Sequence, residues 1–517
     1  MEQCSYDLLQ EPWIGAVDME GQSVQLGLWG LFERAHALRG LDEPNPLVEA
    51  SLLRILLALT HRIVDGPATG RDWRTMYQKE KFDPGAVQAY FARWENRFDL
   101  FHPQYPFLQT ACLRNTDRDG NETTHGVQLL SLATAKGAMK TLFDHHLDAQ
   151  ELAFTPSEAA RHMLAVQNFG LAGLNRKSAK PLGYQQSYNQ ANLVGGLFCT
   201  LQGRNMFETL ALNTLLYSGD SPIPRTPEQG EDAPVWEWDT DQPEAGATTP
   251  RGYLHYLTAR CRHVLLLPEE RDHGIRVSRI HFAQGEFFSQ VPEPFFPRRK
   301  NRDGQPQPVR PQPGRMLWRD SLALFGFTGT EDMRPAPVRQ IGRIGRSRVP
   351  LASRYRCCAY ALAYDQANPL AWRKESLSVP LELLDNEETV AFLQMAMQRG
   401  EEAGSLLYNA TAQYLYACLP SGASCGKEDV YNTQVLDQFW SLLEAPFQTF
   451  LLALEHPDNG DQALFEWGQA LRRTALAAFD RCVWQRYADQ AKTYQAWVQA
   501  RDALAYKSAK LVNKGDV

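Results

Sequence analysis

The sequence lacks most of the features that mark secretion, membrane insertion or catalysis. Nine cysteines are scattered over 517 residues, at positions 4, 112, 199, 261, 357, 358, 418, 425 and 482, and nowhere form a Cys-x-x-Cys pair. That scarcity argues against a disulfide framework and against a structural zinc site. Cys261 and His263, with His255 nearby, come nearest to a metal-ligand set, but ordinary buried thiols are the simpler reading. Met1 to Trp13 carries acids and neither a basic start nor an apolar run, so a secretory leader is not expected. No apolar run reaches the roughly eighteen residues that a membrane span requires. The most apolar segment, Leu47 to Val64, is interrupted by Glu49, Arg54, His61 and Arg62. A cytoplasmic protein without membrane contact is expected.

Catalytic signatures are missing too. There is no Gly-x-x-x-x-Gly-Lys-Ser/Thr phosphate loop, no Gly-x-Ser-x-Gly elbow and no His-Glu-x-x-His pair. Asp144-His145-His146 has no companion carboxylate motif to make it a metal nuclease, and Gly170-x-x-Gly173 is too short to signal nucleotide binding. No catalytic residue, metal or cofactor is expected.

What is present is the balance of a soluble globular chain, 44% apolar and 22% charged. Its length calls for two or three domains. The net charge of −7 excludes a uniformly basic nucleic-acid binder, yet charge is unevenly placed. Between Arg298 and Arg356, fourteen Lys and Arg residues stand against four acids, Asp303, Asp320, Glu331 and Asp332. Arg298, Arg299, Lys300, Arg343, Arg346 and Arg348 mark this basic surface, which suits a polyanion. A solvated basic loop is the plainer alternative.

The pattern of elements predicts an α+β chain. Short strands over the first forty residues lead to a buried helix over Leu47–Val64 and another over Val87–Phe98. Asn115 to Thr124 reads as a loop, and Ser157 to Gln167 as a helix. A long irregular stretch then runs from Asn168 to Gly196, carrying Arg176, Lys177 and Lys180. Pro222 to Pro250, around Trp236 and Trp238, reads as a surface excursion, and Pro297 to Pro313 as a linker without regular structure. Ile275–Phe288 and Leu351–Tyr364 are strand-like. After Ser376 four amphipathic segments follow, 386–419, 428–454, 462–487 and 491–512. Their short connections predict an up-and-down four-helix bundle over 377–517, behind a mixed α/β domain over 1–376.

Two features suit nucleic acid. Phe143 and His145 stand beside Lys136 and Lys140, an aromatic-and-cation grouping of the kind that grips single strands, although Phe143 also reads as core. Asp365-Gln366-Ala367-Asn368 follows the run Tyr360 to Tyr364 and precedes Pro369-Leu370, which predicts a tight hairpin tip. A polar tip on a stiff hairpin can enter a duplex groove; an ordinary exposed turn is the alternative.

Several segments together resemble the CasA family, the large subunit of the type I-E CRISPR complex Cascade. They are Asp7-Leu8-Leu9-Gln10-Glu11-Pro12-Trp13-Ile14, Leu31-Phe32 with Ala35-His36, the helix Leu52 to Leu59, and Tyr105-Pro106-Phe107-Leu108-Gln109-Thr110. The hairpin tip and the terminal helices extend the likeness over nearly the whole chain. The resemblance implies a non-catalytic subunit near the 5′ handle of a guide RNA, which recognises a protospacer-adjacent motif (PAM) in double-stranded target DNA and helps to open it. Implied protein partners are the backbone and handle-binding subunits, the small-subunit dimer and a recruited helicase-nuclease. By the same resemblance Gln366 is the wedge, flanked by Asp365, Ala367 and Asn368. Phe143, His145 and Lys140 form the loop at the guide handle and PAM. Gly170 and Gly173 compete with Gly195 and Gly196 for the PAM-contacting glycine loop, and Arg276 or Arg279 replaces an expected lysine. An RNA-processing nuclease and a helical scaffold without nucleic-acid contact remain as rival functions.

Overall fold

The computed structural model describes residues 4–132, 152–175, 177–217, 232–239, 243–289, 291–327, 332–344, 351–365, 368–419, 425–483 and 491–512. Its centre is the helix Pro46–Ile63. Asn45 caps it by accepting the Leu47 N–H at 2.9 Å, and Pro46 fits the first turn because it has no N–H to leave unpaired. Every residue from Leu47 to His61, and Ile63, is buried, so this helix is enclosed on all sides. The helices Pro156–Phe169, Met206–Asn213 and Tyr253–Thr258 and the strand Arg354–Asp365 surround it. Several of its polar members are tied down: Ser51 and Thr60 donate to the carbonyls of Leu47 and Leu56, each at 2.7 Å. Arg54 meets Glu293 at 2.6 Å, and Glu49 meets Lys374 at 2.7 Å.

Two long antiparallel hairpins frame this core. One joins Arg262–Arg271 to Gly274–Gln284, with His125–Gly126 added beside the second strand. The other joins Arg354–Asp365 to Asn368–Pro380, with Phe198–Gln202 on its far side. Arg354–Asp365 is therefore the middle strand, which explains the unbroken buried run Cys357 to Ala363.

Three expected irregular segments carry structure. Asn115 to Thr124 contains the paired strands Arg114–Thr116 and Glu122–Thr123. Within Pro297–Pro313, Arg298–Lys300 pairs with Pro306–Pro308, the prolines lying in a two-stranded ribbon with no neighbouring strand to supply. In the supposed surface excursion Trp236 is buried and donates its indole N–H to the Tyr90 hydroxyl at 2.9 Å.

The carboxy-terminal helices fall close to their predicted spans: Glu387–Cys418, Gly460–Val483 and Ala491–Ser508. The second predicted helix is instead three, Lys427–Tyr431, Val435–Leu442 and Glu444–Ala453. Gln434 adopts a left-handed φ of 57° at the first break. At the second, Pro446 has no N–H for the Leu442 carbonyl and its ring would clash there. The expected division at residue 376 falls within the strand Asn368–Pro380, and the helices begin at Glu382. Trp318, from the preceding part of the chain, inserts among them, 4.8 Å from the Phe447 ring and 5.9 Å from the Trp467 ring. Gln448 clasps the backbone of Ser378 in both directions, at 3.1 and 2.8 Å. No helix among the described residues is long and apolar enough to cross a membrane.

Candidate nucleic-acid interface

The hairpin Arg354–Pro380 is anchored at mid-length, and the described residues near its end are exposed. Tyr360 donates to Glu49 at 2.9 Å while Lys374, across the hairpin, meets the same carboxylate at 2.7 and 2.8 Å. Tyr360 and Glu49 are buried and Lys374 closes the group from the exposed side, so that both strands are tied to the central helix. Beyond it Asp365 pairs with Asn368, the two ends of the predicted tetrad. Gln366 and Ala367 themselves lie outside the described residues. Asp365 and Asn368 are exposed, as are Leu370 (57%) and Trp372 (38%) on the outer strand.

Beside this tip lies the glycine-bearing stretch. Gly170 ends the helix Pro156–Phe169, donates its N–H to Val166 O at 3.0 Å and accepts from Ala191 N at 2.9 Å. A β-carbon there would stand 2.6 Å from Val166 O and 3.1 Å from the Arg262 guanidinium, so the close approach needs glycine. Gly173 pairs with Tyr188 and faces open space. Gly196 lies against Phe296, where a β-carbon would be 2.2 Å from the ring, and Gly195 stands next to the Tyr364 hydroxyl. Tyr364 donates to Gln190 at 3.5 Å. The two competing glycine pairs and the hairpin end thus belong to one neighbourhood.

Arg262, which no sequence motif singled out, holds that neighbourhood together. It is fully buried, has no carboxylate partner among the described residues, and donates to the carbonyls of Cys261 at 2.8 Å, Leu171 at 3.0 Å and Asn189 at 2.6 Å. Burial pulls its pKa down to about 10, so the guanidinium stays charged at neutral pH. The short segments around Leu171 and Asn189 are pinned here by one forked cation satisfying their backbone acceptors.

The basic stretch divides into structural and exposed members. Arg315 meets Asp320 at 3.0 Å, Arg319 meets Glu401 at 2.9 Å while lying over the Trp440 ring, Arg334 meets Asp332 at 2.6 Å, and Arg354 meets Glu455. Arg298 is half-buried, and burial lowers its pKa. Arg299, Lys300, Arg302, Arg310 and Arg343 are exposed. Of the proposed lysine substitutes, Arg279 is exposed but paired with Glu269 at 2.6 Å, and Arg276 donates to its neighbour Ile275 O at 2.9 Å. Phe143, His145, Lys140, Arg346 and Arg348 lie outside the described residues.

His255 and His263 are engaged separately, His255 with Glu286 at 3.2 Å and His263 between Thr110 and the Glu244 carbonyl, each at 2.8 Å. Another histidine couples the fold to pH. His125 is pushed down to about 4, by burial first and then by the Lys177 and His281 charges. His281 is lowered as well, chiefly by burial. A base whose folded pKa lies below its unfolded value binds fewer protons when folded, so stability falls as pH drops from about 6.5 to 4. His125→Gln is expected to reduce that acid loss by on the order of 2 kcal/mol. Thermal unfolding midpoints at pH 7 and pH 4.5 check this; an unchanged pH dependence would rule the histidine out.

The anchored hairpin, the glycine stretch beside it and the carboxy-terminal array of helices are the parts of this large α+β chain that the comparisons with known proteins also cover. The chain belongs to the family described as CRISPR-associated protein Cse1, whose model matches residues 7–478. It is 28% identical over 488 residues to the CRISPR-associated protein CasA/Cse1 of Thermus thermophilus, covering 92% of this chain and 91% of that one. The crystal structure of Cse1 from Acidimicrobium ferrooxidans superposes with a TM-score of 0.82 at 24% identity, covering 99% of both chains. A chain of a structure described as a CRISPR RNA-guided surveillance complex shares the fold, with a TM-score of 0.75 at 23% identity, over 97% of this chain and 99% of that one.

Proposed function

We propose that this chain is the large, non-catalytic subunit of a type I-E Cascade complex and that it reads the PAM of target duplex DNA with the hairpin ending at Asp365–Asn368. The observation that carries this reading is the hairpin itself: clamped at Tyr360, Glu49 and Lys374, and exposed at its end. Exposed Arg299, Lys300, Arg302 and Arg310 attract the duplex backbone, an attraction that weakens steeply with salt. Minor-groove contacts from the glycine neighbourhood then test the PAM, where only part of the base identity is legible. Gln366 wedges beneath it and guide pairing takes over, because exchanging duplex for heteroduplex is nearly balanced once started. The helices after Glu382 form the platform for neighbouring subunits and the helicase-nuclease.

Co-expression with a guide RNA and the other subunits tests this. The chain is expected to co-purify with both, and the assembly to prefer PAM-bearing over PAM-scrambled duplex by a salt-dependent margin. Absence of guide RNA from the purified assembly would contradict the proposal. Metal-dependent cleavage of labelled RNA or DNA by the chain alone would replace it with a nuclease.

A further inference from the structure

Next to the hairpin is a cleft of about 510 Å³ whose wall is the segment Asn189 to Val194 and whose floor is aromatic, from Tyr256, Phe287 and Phe288. Gln190 joins cleft to hairpin, since its side chain accepts from Tyr364, the residue just before Asp365. The side-chain amides of Asn189 and Asn192 make no hydrogen bond among the described residues, although both residues are half-buried. The Asn189 backbone is fixed instead: its N–H donates to Gln284 at 2.6 Å, and its carbonyl accepts from buried Arg262 at 2.6 Å. The wall is thus held in place while the Asn189 and Asn192 amides, and the Gln190 amide nitrogen, make no hydrogen bond among the described residues.

The chemistry of the lining selects the ligand. None of the described lining residues is Lys, Arg, Asp or Glu, so a phosphate or a cation finds no counter-charge. Carboxamides offer a paired donor and acceptor, which match the edge of a nucleobase, and an aromatic floor offers stacking. A duplex opened at a hairpin tip has an unpaired base to place, and an unstacked base left in water gives back nothing for the cost of opening. We propose that this cleft receives the first unpaired base of target DNA opened at the hairpin, with Asn189, Gln190 and Asn192 at its edge and Phe287 against its face. This rests on the reading of the hairpin as the opening wedge. Whichever strand supplies the base, the recognising chemistry is the same.

The test couples protein and DNA changes in the assembled complex. Asn192→Ala and, separately, Phe287→Leu are combined with targets whose first PAM-adjacent nucleotide is abasic in the non-target or the target strand. Each variant is expected to slow R-loop formation on intact duplex by about five-fold or more. The defect should vanish on the abasic target whose missing base would have occupied the cleft, which also identifies the strand. Equal defects on intact and both abasic targets would overturn the proposal and point to a protein occupant, and absence of any defect in both variants would overturn it outright. Failure of the wedge reading looks different: Gln366→Ala would then leave opening of intact duplex unchanged. Unaltered melting temperature and subunit assembly of each variant exclude misfolding as the source of a defect.

Discussion

Glu293→Ala is expected to destabilise the amino-terminal part of the chain by about 3–5 kcal/mol, the cost of leaving a buried ion without its partner. Arg54 projects from the enclosed helix Pro46–Ile63, its guanidinium 2.6 Å from Glu293 and its second nitrogen 2.8 Å from the Tyr256 carbonyl. Both charged side chains are all but inaccessible, at 1% and 2% exposure. Burial, the largest single influence, would lower the Arg54 pKa, but the Glu293 charge and hydrogen bond together with the neighbouring Tyr256 and Tyr253 more than offset it, and the net shift is upward. The Tyr256 hydroxyl donates to the same carboxylate at 2.8 Å, so one substitution strands a cation and a phenol together. The double change Arg54→Met with Glu293→Leu should recover most of the loss, because two apolar groups need no partners. Denaturant titration followed in the amino-terminal region reads both variants. A loss below about 1 kcal/mol for Glu293→Ala would show that water reaches the pair.

That pair also shows where sequence reasoning stops. The helix over Leu47–Val64 was legible from its leucines, but the polar residues counted as interruptions are the ones that tie it to distant segments. Glu49 reaches Lys374 and Arg54 reaches Glu293, links of more than two hundred residues that no local pattern records. The carboxy-terminal helices were legible because amphipathic periodicity is local; their one misreading, the continuous segment 428–454, missed the left-handed Gln434 and the consequence of Pro446. The strand Arg262–Arg271 was missed because Pro268, Glu269 and Glu270 spoil its pattern, and the ladder absorbs them with a bulge between Leu267 and Pro268 on an edge strand.

The candidate site was legible in part. The hairpin tetrad announced its own turn, because short polar residues between two strand-like runs have few other uses. The basic count between Arg298 and Arg356 overstated the free charge, since Arg315, Arg319, Arg334 and Arg354 serve ion pairs. Arg262 was invisible as an organiser, because its role depends on the carbonyls of Leu171 and Asn189, more than seventy residues away, converging with that of its neighbour Cys261 on one buried fork.

The second large effect concerns Gln366. The strands beside it are fastened to the core, so a side chain at the tip can press on a base step without the hairpin bending away. Unstacking one step costs roughly a few kcal/mol, which a wedge must offset during opening. On the proposed reading, Gln366→Ala should therefore slow opening by about ten-fold or more, each factor of ten being about 1.4 kcal/mol of barrier. A target already open at that step owes no such cost. The measurement that tests the central claim most directly compares Gln366→Ala with the unaltered chain, each in an assembled complex, on relaxed duplex and on the same sequence carrying a pre-opened bubble beside the PAM. The account predicts a strong loss of R-loop formation on relaxed duplex and near-normal formation on the bubble. Equal loss on both, or no loss on either, would contradict it.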